Sequence, residues 1–209
     1  MSVGLTEALW FLGRSTGLVA LVLFTAALAL GVLARSGRDV PVVGRAGVQE
    51  LHRTASLTAV GLIAVHVVTL LFDPYAQLRL VDLVVPGLGS YRPLWLALGT
   101  LALDLLVVIT VVSLLRARLG PRVFQLVHLL VWAFWPLALL HGLGTGTDAG
   151  RPWAIALVAG CVGLIAAALS WRLAGAYDER GHDRVPREVA ASTPLRPSAV
   201  LASHEGAHR

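Results

Sequence analysis

The sequence predicts an all-α protein: a polytopic transmembrane bundle of about five helices, N-terminus outside and C-terminus cytoplasmic. Three observations predict it. Of 209 residues, 56% are hydrophobic and the mean hydropathy is +0.76, far more apolar than a soluble domain. The apolar residues gather into five runs, each long enough to cross a hydrocarbon core of about 30 Å at about 1.5 Å per residue. Short loops rich in Arg, Gly and Pro separate the runs.

The first run, 8–34, begins within MSVGLTEALWFLGR. That N-terminus lacks the basic start of a signal peptide and the run is too long for one, so it is expected to remain as the first transmembrane helix. The second run, 52–72, follows SGRDVPVVGRAG. The stretch from Asp73 to Pro93 is too apolar for a free loop and too interrupted to span. It reads either as an interfacial segment over the outer face or as an ordinary packed loop. The third run, 94–115, ends at RARLGPR. The fourth, 123–143, contains Pro136 and leads into GLGTGTDAGRP; the fifth covers 153–174. These runs make one membrane domain, 1–176. From Tyr177 to Arg209 the chain is rich in Arg, Pro, Ser, Ala and His, and is expected to form a disordered cytoplasmic tail.

The formal net charge is +5, and all seventeen basic residues are arginines. They lie between apolar runs and in the tail, which points to membrane topology and to no nucleic-acid partner. Arg35, Arg38, Arg45, Arg53, Arg116, Arg118 and Arg122 share one side, against Arg14, Arg79, Arg92 and Arg151 on the other. The richer side is assigned to the cytoplasm of a multi-pass cell-membrane protein in the lipid bilayer. Trp10, Trp95 and Trp153 open helices at the outer interface, and Trp171 closes the last at the inner one. The lone Cys161 permits neither an intrachain disulfide nor a Cys-based metal site.

Seven histidines are present; His182, His204 and His208 lie in the polar tail. The other four lie in or beside apolar runs, where an imidazole is costly unless something binds it. HRTASLTAVGLIAVH carries His52 and His66, fourteen apart; HLLVWAFWPLALLH carries His128 and His141, thirteen apart. Each step is roughly 20 Å along a helix. The two helices run in the same direction, so as neighbours they form two facing pairs: His52 with His128, and His66 with His141. Two imidazoles on opposite sides of a macrocycle are the axial ligation haem iron accepts, whereas zinc needs further ligands that no nearby Cys, Asp or Glu supplies. Ser56, Ala59, Ile63 and nearby Gly61 offer room for a macrocycle or for plain helix packing. On an ideal helix thirteen residues leave His141 roughly 140° from His128. A distortion near Pro136, with a tightened 3₁₀-like turn, is expected to bring them to one face.

At these residues the chain resembles the ferric reductase-like transmembrane family, the haem-binding membrane domain shared with NADPH oxidases and the bacterial haem subunit of methionine-sulfoxide repair. LGRSTGLVALVL, LHRTASLTAVGLIAVH, VPGLGSYRPLW and HGLGTGTD carry the likeness beside the histidines. The resemblance implies an inner b-type haem on His52 and His128 and an outer one on His66 and His141. It also implies electron transfer from a cytoplasmic flavin reductase or a membrane quinol to an extracytoplasmic acceptor. GLGTGTDAG has no strand before it and falls on the outer side, so it is not a dinucleotide loop.

Arg14, Arg53, Arg92 and Arg122 lie near the expected haem levels and read either as ordinary boundary arginines or as partners for propionates, Arg14 and Arg53 foremost. Asp104 falls near mid-membrane, as a structural or proton-relay carboxylate. Asp148 follows the outer histidine and could line an acceptor surface. Trp132 and Trp135 lie between the haem levels. Rival readings are a cytochrome b anchor of a larger oxidoreductase complex and a haem-free transporter or scaffold.

Overall fold

The computed structural model describes residues 3–35 and 44–182, with side chains for 4–35 and 44–174. Arg38 and most of the expected tail, His204 and His208 included, lie outside the described residues.

Among the described residues there are six α-helices and no strand: α1 (Val3–Arg35), α2 (Gly44–Leu71), α3 (Pro93–Leu114), α4 (Arg116–His128), α5 (Val131–Thr145) and α6 (Pro152–His182). Gly4–Arg35, Gly44–Leu71, Pro93–Leu114 and Pro152–Ala174 are each long and apolar enough to cross a membrane. α4 and α5, bent by 49° at a short break, are long and apolar enough when taken together, which gives four spans, or five with this pair as one. The protein is therefore a multi-pass membrane protein. Four boundaries move well outward from the hydropathy reading: α1 starts at Val3, α2 at Gly44 and α4 at Arg116, and α6 continues past Ala174 to His182.

The break in the fourth span differs from the expectation in place but not in kind. It falls at Leu129–Leu130, nearly two turns before Pro136. Leu130, Trp132 and Ala133 donate to the carbonyls of Val127, Leu129 and Leu130, three residues back instead of four. Each such step overwinds the chain by about 20°. A proline ring crowds the carbonyl four residues earlier, here Trp132, where this tightened turn lies. His128 thus closes α4 and His141 belongs to α5, on two axes instead of one.

α1 packs along α2 and also touches α5 and α6, while α3 packs along α5 and α4. The main core sits midway between the histidine levels. Ala59 is seven residues from both His52 and His66, and it packs with Phe24 and Phe134. The two phenyl rings meet edge to face, centroids 4.8 Å apart. Beside them Trp135 Nε1 donates to Thr25 Oγ1 at 2.9 Å, tying α5 to α1. Trp132 packs instead against Ala29, Val32 and Ala168 in a second cluster.

The segment between α2 and α3 is a packed cap over one end of the bundle. A 3₁₀ turn, Leu80–Leu83, carries a buried carboxylate, Asp82. Asp82 accepts from the Arg79 backbone N–H at 2.9 Å and from its guanidinium at 2.8 and 3.2 Å. The Thr100 hydroxyl donates to the Asp82 carbonyl at 2.7 Å, clasping the cap to α3. These Arg79 bonds hold the Asp82 carboxyl below the usual carboxylate range and raise the guanidinium in turn. Leu80 and Val84 are exposed on the outward side of the cap.

Candidate functional site

Under the cap lies a cavity of about 330 Å³, mostly apolar, between α1, α2, α3, α5 and α6. Small-cofactor sites range over roughly 300–1,000 Å³. His66 from α2 and His141 from α5 both line it, with Trp10, Arg14, Asp148 and Trp153 at its polar end. Two of the sequence-derived histidines are thus brought to one space. The other two meet at the opposite end of the bundle. The rings of His52 and His128 lie 6.1 Å apart between centroids, with planes crossing at 71°. Two imidazoles on opposite sides of one metal, bonded at about 2.0–2.1 Å, have centroids roughly 6.5 Å apart. Among the described residues no three His, Cys, Asp or Glu converge, so the pairs stand without a third protein ligand.

The histidines are oriented by backbone. His66 Nδ1 lies 2.6 Å from the Gly13 carbonyl, His52 Nδ1 2.7 Å from that of Ala27, and His141 Nδ1 2.8 Å from that of Trp95. A carbonyl oxygen only accepts, so each Nδ1 donates and carries the ring's proton in the neutral imidazole. The lone pair is then on Nε2, the state of a metal-binding imidazole with its other nitrogen hydrogen-bonded behind it. His128 differs. Its Nδ1 is buried without a hydrogen-bond partner among the described residues, and its ring stacks on Phe124 at 5.1 Å.

Room for the rings comes from neighbouring helices. A Cβ at Gly17 would stand 2.9 Å from His66 Nδ1, and one at Gly31 would stand 3.3 Å from His52 Cε1. A Cβ at Gly99 would overlap the His141 ring. Gly61, singled out from the sequence, is exposed and has open space about it, so it does not serve the histidine face. The glycines that matter were missed, although Gly17 and Gly31 are fourteen apart, the spacing of His52 and His66 on the helix alongside.

Arg14 lines the cavity, forms an ion pair with Asp148, and lies over the Trp10 ring at 4.3 Å. Arg53 is exposed and 3.8 Å from Glu50, and it is not among the residues lining the cavity. Arg92 adopts a left-handed conformation, φ +42°, before Pro93 and donates to the Gly144 carbonyl. Arg122 is exposed on α4. Asp104 is half-buried on α3, outside the cavity lining.

Compared with known proteins, residues 16–139 match the family described as the ferric reductase like transmembrane component. That match takes in more than half of the 209 residues and three of the four histidines, His141 lying two residues beyond it. No curated protein and no solved structure matches the chain.

Proposed function

The chain belongs to the ferric reductase-like transmembrane family, and from that premise we propose that it carries single electrons across the membrane through two b-type haems. One is held by His66 and His141, the other by His52 and His128. Domains of this family serve transmembrane redox chemistry and are generally haem-binding. Haem, when bound, supplies the one-electron Fe(III)/Fe(II) couple.

The observation that carries the reading is that the His52 and His128 rings face one another while His66 and His141 line one cavity, with three of the four Nδ1 atoms on backbone carbonyls. Those bonds leave Nε2 as the donor and hold the rings before a cofactor arrives. The fourteen-residue step on α2 separates the pairs by about 21 Å along the axis. Between them the Phe24–Phe134 core keeps the middle of the bundle apolar. Arg14 at the cavity's polar end is placed for a propionate carboxylate. The His66 and His141 end faces outward and the arginine-rich end inward. The donor is a cytoplasmic flavin reductase or a membrane quinol, and the acceptor is extracytoplasmic.

Vesicles containing the purified protein test this. A membrane-impermeant reductant is enclosed and a ferric chelate is added outside. The expected result is reduction of external iron that depends on the protein and is abolished in His52→Ala. Equal rates in vesicles with and without protein would contradict it.

A further inference from the structure

We propose that Gly17, Gly31 and Gly99 are positioning residues, each forming with the carbonyl four residues before it a seat that sets the plane and tautomer of one histidine. The proposal rests on the haem reading above for its redox consequence, and on geometry alone for the seat.

The same arrangement occurs three times. His66 bonds to the Gly13 carbonyl and lies over Gly17; His52 bonds to the Ala27 carbonyl and lies over Gly31; His141 bonds to the Trp95 carbonyl and lies over Gly99. In each case carbonyl and glycine are one helical turn apart, so they face the same side of the helix. A carbonyl inside a helix already accepts from the N–H four residues on, and an imidazole reaches its second lone pair only by lying close against the backbone. A side chain one turn along would hold the ring off, and glycine lets it in. The seats come from both α1 and α3, so helix packing along a single interface does not account for them. His128 has no such seat.

A seated Nδ1–H makes the imidazole a more basic ligand, which favours ferric iron and lowers the potential. Alanine at a seat lengthens that bond, so the potential of the haem concerned rises. The contacts grade the effect: severe at Gly99, strong at Gly17, and mild at Gly31, where the nearest atom is 3.3 Å away.

The test compares Gly17→Ala, Gly99→Ala and Gly31→Ala with Gly61→Ala and Gly163→Ala, where an added Cβ meets nothing within 4 Å. In the full-length haem protein, electron paramagnetic resonance and redox titration follow each haem separately. Gly17→Ala and Gly99→Ala are expected to change the low-spin signal of one haem and raise its midpoint. Gly31→Ala changes only the other, by less, and the controls match wild type. Should Gly99→Ala fail to accumulate, the milder Gly31→Ala carries the comparison. In haem-free protein, ¹⁵N spectra read the seats directly. Wild type shows His66 and His141 protonated at Nδ1, and their seat variants lose that preference. Unchanged tautomers would overturn the seats whatever the haem content. A colourless wild type whose tautomers still respond to alanine would overturn the haem reading and leave the seats standing.

Discussion

Arg14 and Asp148, 134 residues apart in sequence, meet as an ion pair at the polar end of the cavity that His66 and His141 line. Arg14 also lies over the face of Trp10, which fixes the guanidinium from behind. The pair is partly exposed, 24% and 31%, so it is an adjustable electrostatic element more than a source of stability.

With haem bound, a nearby cation favours the less positive, ferrous state. Arg14→Gln is therefore expected to lower the midpoint of the haem on His66 and His141, and Asp148→Asn to raise it. At roughly 10 Å and an effective dielectric of about 20 the effect is about 1–2 kcal/mol. For one electron that is about 40–90 mV. Redox titration checks it; shifts of the same sign in both variants would contradict the account.

The cap should be acid-sensitive through Asp82. Hydrogen bonds from Arg79 hold its folded pKa below the unfolded carboxyl value of about 3.9. A group lowered on folding stabilises above its unfolded pKa, and that contribution is lost as pH falls through the folded value. The protection factors of residues 79–84 against hydrogen exchange are expected to be high and flat from about pH 5 to 8, given that carboxyl range. Below it, opening of the cap should increase, and Asp82→Asn should remove this acid limb. A wild-type acid limb retained in Asp82→Asn would assign the sensitivity elsewhere.

Trp135→Phe removes the bond to Thr25, a hydroxyl 1% exposed that also donates to the Leu21 carbonyl at 2.8 Å. Hydrogen bonds between membrane helices average about 0.6 kcal/mol, so a loss of roughly 0.5–1.5 kcal/mol is expected. Unfolding in mixed detergent measures it, and haem content should stay at the wild-type value.

Much of this architecture is legible in the sequence because bilayer thickness constrains it. Runs such as 94–115 must be helical and must span, and the paired histidines in α2 and in the fourth run stand out against apolar surroundings. Other features depend on partners that sequence does not reveal. The break at Leu129–Leu130 falls in an apolar stretch with no local marker except Pro136 six residues on, so the distortion was foreseeable and its place was not. The histidine seats use backbone carbonyls, which every residue carries, and only the matching glycine interval betrays them. Arg53 and Arg14 look alike as boundary arginines. Tertiary packing brings Arg14 to the cavity and leaves Arg53 exposed, one turn from Glu50 on its own helix.

The most direct test is a reduced-minus-oxidised spectrum with haem quantitation on the purified wild type, His66→Ala and His141→Ala. Two b-type haems per wild-type chain are expected, with about half remaining in each variant because only one pair is broken. A colourless wild type, or full haem content in both variants, would contradict the paired-histidine account.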